Sequence, residues 1–115
     1  MKLRIATRMM AATVLVAATG ALGAAEGNPA AGSEKNSMCA GCHGIPGYKT
    51  AFPEVYSVPK LGGQHAGYLV KALQAYKSGE RAHPSMRAIA ATLSEQDMAD
   101  LAAYYSSGRA QSAAK

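Results

Sequence analysis

A chain of 115 residues with one Phe, no Trp and 12 Gly has room for at most one domain built on a small core. Its formal net charge of +5 would suit a polyanion partner, but Lys2, Arg4 and Arg8 precede residue 25 while all seven Asp and Glu follow it. Nine of the twelve cations then face seven acids, leaving +2 beyond that point, so no nucleic-acid partner is expected.

Residues 1–25 have the three parts of a secretory leader: the basic start, an apolar run over residues 9–18, and the small residues Gly23, Ala24 and Ala25 before a cut placed after Ala25. The alternative, an uncleaved anchor, is disfavoured because the apolar stretch 9–22 is shorter than the roughly 20 residues a membrane span needs. The expected organisation is a leader over 1–25, a domain over 26–108 and a frayed tail over 109–115. Two cysteines exported to an oxidising compartment would pair with each other unless something else captures them.

Asn28 followed by Pro29 reads as a helix cap with proline at the first helical position, opening a short helix from residue 30 to about 38 that delivers Cys39 at its end. Gly32 weakens that helix unless it marks a close approach to another one. Over residues 44–60, Gly44, Pro46, Gly47, Pro53 and Pro59 break any regular pattern. Ile45, Phe52, Val55, Tyr56 and Val58 make this loop too apolar for a solvated linker, so it should wrap around something.

A second helix begins at Gln64 or His65, with Tyr68, Leu69, Ala72, Leu73 and Tyr76 on one stripe, and ends at Gly79. His83-Pro84 opens a short helix through Met86, Ile89 and Ala90. Ser94-Glu95-Gln96-Asp97 resembles a capping box for the last helix, whose buried face would be Met98, Leu101, Ala102 and Tyr105, and Gly108 closes it. Nothing alternates as a strand should, so the domain reads as all-α.

Chemistry concentrates in Cys39-Ala40-Gly41-Cys42-His43. A thioredoxin-like dithiol wants a preceding strand, which is lacking, and a structural zinc site wants four ligands, for which only His65 and His83 remain, singly and far apart. The Cys-x-x-Cys-His spacing suits covalent haem, the thiols adding to two vinyl groups and the histidine reaching the iron. A sixth ligand should then come from far downstream. Met86, His65, His83 and Met98 are the candidates, with Met98 better explained as core, and Met38 is too near Cys39 to cross the ring.

Cys39-Ala40-Gly41-Cys42-His43-Gly44, Val58-Pro59-Lys60-Leu61-Gly62-Gly63-Gln64, Gly79-Glu80-Arg81 through Met86, Leu93-Ser94-Glu95-Gln96-Asp97 and Leu101-Ala102-Ala103-Tyr104-Tyr105 together resemble the class I c-type cytochromes, most nearly a single half of the bacterial dihaem periplasmic kind. The resemblance implies thioether bonds at Cys39 and Cys42, His43 as proximal ligand and Met86 as distal ligand. It also implies that the Pro59 carbonyl accepts the His43 proton, that Gly32 meets Leu101 and Tyr104 where the first and last helices cross, and that Gln64 and Tyr68 border the pocket. With one Cys-x-x-Cys-His, one covalent haem c is expected, and residues 44–58 depart from the commoner loop.

The expected function is a periplasmic one-electron carrier between a redox protein donor and acceptor, a membrane respiratory complex among them, with no catalytic turnover. The alternative is the haem c subunit of a periplasmic dehydrogenase. The corresponding assembly states are a monomer or a subunit of a hetero-complex. Two filled axial positions leave no iron site for oxygen or peroxide chemistry.

Overall fold

Asn28 stops being coil where its side-chain oxygen accepts the backbone N–H groups of Ala30 and Ala31, and Pro29 takes the first helical position, where a missing N–H costs nothing. In the computed structural model, which describes residues 24–52 and 54–108, this cap opens α1, Pro29–Lys35. The leader over 1–25, apart from residues 24 and 25, and the tail 109–115 lie outside the described residues.

The first helix does not run to residue 38 as its sequence suggests. It breaks at Asn36, whose φ of −82° and ψ of −3° lie in the bridge region, and a separate α2 follows over Ser37–His43. Asparagine is a poor helix-interior residue. Its carbonyl here accepts from both Cys39 N (2.8 Å) and Ala40 N (2.9 Å), a tightened turn that reorients the chain. The two cysteines and His43 therefore sit within a helix of their own rather than after one.

Residues 44–60 are also more ordered than their prolines suggest. Lys49–Thr50 (β1) and Tyr56–Ser57 (β2) pair antiparallel in the register Lys49↔Ser57 and Thr50↔Tyr56, and Val58 N donates to Tyr48 O at 2.9 Å. Strands of two residues are too short for alternation to register, which is why no strand was expected.

Helix α3, Ala66–Ser78, starts after His65 and ends at Gly79, whose φ of +86° only glycine takes without strain. Helix α4, Pro84–Ala91, and α5, Glu95–Ser106, follow. At α5 the capping box is complete: Ser94 Oγ accepts from Asp97 N, and Asp97 accepts from Ser94 N. The domain is all-α apart from the small hairpin.

Helix α5 is the axle, packing on both α1 and α3. A Cβ at Gly32 would overlap the Asp100 carbonyl and come within 2.8 Å of Tyr104 Cβ, so the α1–α5 crossing depends on glycine there. Gly27 makes a second such approach, to Ala99 and Ala103. One core cluster holds Leu69, Ala102, Tyr104 and Tyr105, and another holds Leu93, Met98 and Leu101. Tyr68, assigned by its spacing to the buried stripe of α3, is instead 54% exposed. The face of α3 that reaches the clusters runs through Ala66, Leu69, Val70 and Leu73.

Asp100 was not expected in the core. It is 3% exposed, and its carboxylate accepts from Asn28 N (2.8 Å), Gln96 Nε2 (2.9 Å) and Lys35 Nζ (2.7 Å). These bonds fasten the start of the domain to the last helix.

Candidate functional site

Three functional side chains share one face of α2, because Cys42 lies three residues and His43 four residues beyond Cys39. Both cysteines are free and half-buried. Cys39 packs against both core clusters, and its thiol shares a hydrogen bond with Tyr105. Burial pushes the Cys39 thiol upward, with the Tyr105 bond opposing, so it stays protonated at neutral pH. Burial likewise pushes the Tyr105 hydroxyl far up, reinforced by the neighbouring Cys39. Tyr105 also meets Tyr104 edge to face, with ring centroids 5.1 Å apart.

His43 ends α2, and its Nδ1 lies 2.6 Å from the carbonyl oxygen of Pro59. A carbonyl only accepts, so Nδ1 carries the proton and Nε2 of the neutral ring keeps its lone pair for a metal. Nearby anchors hold Pro59 in this position. Gly63 N donates to Tyr105 O at 3.0 Å, and Leu61 packs on the cluster that contains Tyr105. The histidine orientation is thus fixed by a loop pinned to α5.

Met86 occupies the first turn of α4, half-buried, with its backbone N–H donated to His83 Nδ1 at 3.3 Å. That bond engages one ring nitrogen of His83, one of the alternative ligand candidates. His65 is exposed at the start of α3, and Met98 is fully buried beside Leu93 and Leu101. Gln64 is exposed, with its N–H turned back to Leu61 O. The structure therefore brings Cys39, Cys42, His43 and Pro59 together and sets Met86 on the separate α4. Tyr105 was expected on the buried face of α5, but its part in the site and that of Gly63 were not foreseen, since a tyrosine on a helical stripe and a glycine in a loop have many uses.

No group of three or more His, Cys, Asp or Glu among the described residues could hold a metal by itself, which leaves no basis for the zinc alternative there. No strand precedes α2 among the described residues either, against the dithiol alternative. The donor set does fit haem: two free thiols and one oriented imidazole on a single helical face, with Cys39 already seated between two apolar clusters. No helix among the described residues is long and apolar enough to cross a membrane.

Comparison with known proteins agrees with this fit. The family model for Cytochrome c matches residues 29–108. Cytochrome c-554(548) of Halomonas halodenitrificans is 43% identical over 84 residues, which cover 70% of this chain and 96% of that one. Cytochrome c4 of Pseudomonas aeruginosa is 36% identical over 100 residues, 87% of this chain and 48% of that one, so the chain spans about half the length of this relative. The crystal structure of reduced recombinant cytochrome c4 from Pseudomonas stutzeri matches with a TM-score of 0.51 and 29% identity, covering 73% of this chain and 51% of that one. The family match runs from the first residue of α1 to Gly108, taking in every described helix and all of the Cys39–His43 face: the chain belongs to the cytochrome c family, as an all-α, class I haem c member.

Proposed function

We propose that this chain is a periplasmic one-electron carrier holding a single haem c through Cys39 and Cys42, with His43 and Met86 as axial ligands. The observation that carries this reading is the 2.6 Å bond from His43 Nδ1 to Pro59 O. It selects the tautomer an iron ligand needs and holds the ring against rotation. Residues 1–25, with their basic, apolar and small-residue parts, are the secretory leader that delivers the chain to the periplasm.

Bound haem c supplies reversible one-electron chemistry at its iron. The chain's own residues do the rest. Cys39 and Cys42 tether the group on one side of α2, and Cys39 places it at the meeting of the two core clusters. His43 and Met86 would hold the iron with the chain's own side chains in either oxidation state. That keeps reorganisation small and excludes oxygen and peroxide. Methionine ligation favours the reduced state, so the carrier works at the positive end of a respiratory chain, between a redox donor and acceptor.

The test is an absorption spectrum of purified ferric and ferrous protein. The methionine-to-iron charge-transfer band should be present in the wild type and absent from Met86→Ala, and Met86→Ala should lower the reduction potential and bind carbon monoxide when ferrous. Ready carbon monoxide binding by the ferrous wild type would remove the support for Met86 ligation and for the pure carrier function.

A further inference from the structure

Helix α4 begins at Pro84, which has no N–H, so Met86 carries the first side chain-capped donor of the helix. Its partner is His83 Nδ1, although histidine is not among the residues that helix caps favour. Two tyrosines from different elements meet the ring. Tyr56, on β2, meets it edge-on with centroids 6.3 Å apart and planes at 65°. Tyr76, on α3, does so at 6.4 Å and 78°. Tyr76 is itself covered by the Arg81 guanidinium, 4.6 Å from its centroid. The backbone around His83 is extended (φ −158°, ψ 106°), and its carbonyl accepts from Arg87 N at 2.9 Å, the first helical bond of α4.

We propose that His83 is a positioning residue for Met86: its ring, gripped by Tyr56 and Tyr76, presents Nδ1 to the Met86 N–H and so fixes the first turn of α4. This rests on Met86 being the distal ligand. With eight residues and no acidic side chain in its first turn, α4 has little else to hold its start. Fraying there moves the Met86 backbone, and with it the side chain that closes the iron to small ligands. An asparagine would supply an acceptor at the same reach. Histidine adds a ring large enough to be clamped by the hairpin and α3 at once.

The experiment uses the haem-loaded full chain and compares wild type, His83→Ala, His83→Asn and Ser94→Ala. Ser94 caps α5 in the same way but lies away from Met86 in sequence and element, so its variant reports on a merely structural loss of a cap. Two readouts are taken: hydrogen exchange of the Met86 amide, and the rate of carbon monoxide binding to the ferrous protein. His83→Ala should raise both about five-fold, the factor that corresponds to losing one helix cap. His83→Asn should return both to within about two-fold of wild type, and Ser94→Ala should leave both unchanged.

Should His83→Ala not accumulate, His83→Gln carries the same expectation, because its acceptor stands one methylene further out. Unchanged rates in His83→Ala, or equal increases in Ser94→Ala, overturn the proposal while leaving the Met86 reading intact. A wild type without the methionine–iron band overturns both, and that failure is visible before any variant is made.

Discussion

Lys35 on α1 reaches two carboxylates of α5, Asp97 and Asp100, at 2.7 Å each. The Lys35 ammonium, then the Ser94 N–H and hydroxyl, hold the Asp97 carboxyl well below the usual carboxylate range. Asp100 is lowered first by Lys35, then by Asn28 N–H and Gln96. Lys35 is raised in turn, chiefly by Asp100 and then by Asp97. A carboxylate whose folded pKa is depressed contributes stability above its unfolded value of about 3.9, and that stability is lost as pH falls through the folded value. The raised lysine contributes below about 10.4 and loses its contribution as pH rises further. Lys35→Met should therefore move the midpoint of acid unfolding to higher pH in a far-ultraviolet circular dichroism titration. The loss of stability should be largest near pH 7, where both carboxylates are charged, and should shrink as they protonate; it stays modest throughout, since Lys35 is solvent-exposed enough for the pairs to be screened. An unchanged acid midpoint would mean that the pairs are formed equally in the unfolded chain. The Lys35 pairs were not legible in the sequence, because residues 65 apart leave no local signature of their meeting. The Ser94 capping box, written within four residues, was legible in full.

Between elements, the fit of α1 against α5 turns on Gly32. Alanine is the better helix former by about 1 kcal/mol, so propensity alone predicts that Gly32→Ala stabilises. The added Cβ would overlap the Asp100 carbonyl, which is backbone and cannot swing aside, and crowd Tyr104. Overpacking of that kind costs about 1–3 kcal/mol, so Gly32→Ala should be less stable in urea unfolding. Gly41→Ala on α2 is the control, with nothing within 4 Å of the new Cβ. It should gain up to about 1 kcal/mol. A stabilised Gly32→Ala would show that the helices can part at little cost. The close crossing itself was foreseen from Gly32, but two features of the same region were not. Asn36 divides one helical pattern into α1 and α2 without any side-chain cap to announce it. The β1–β2 pairing, only two residues deep, depends on cross-strand bonds that no local spacing records.

Over the whole molecule, the order of the motifs was the legible part, since Asn28-Pro29, Gly79, His83-Pro84 and Ser94 to Asp97 sit at element starts or ends where local chemistry dictates the residue. What it could not convey was how the parts converge on Cys39. The large buried side chains among the described residues are Leu69, Leu93, Met98, Leu101, Tyr104 and Tyr105, and Cys39 packs against both clusters they form. Cys42 packs against neither of these clusters. A haem tethered at Cys39, as proposed, would be joined to the seam of the core, and as a group bound by the folded chain alone it would support the fold as a whole. Removing both thiols, in Cys39→Ala/Cys42→Ala, should abolish the cooperative thermal transition of a domain whose own core is this small. The single variants, each keeping one thioether, separate the two positions. Cys39→Ala also strips the partner from the buried Tyr105 hydroxyl. It should melt below Cys42→Ala by about 4–8 °C, the shift that corresponds to about 1 kcal/mol in a domain of this size. Equal melting temperatures would place the haem's mechanical anchor at His43 and Pro59 rather than at the core seam.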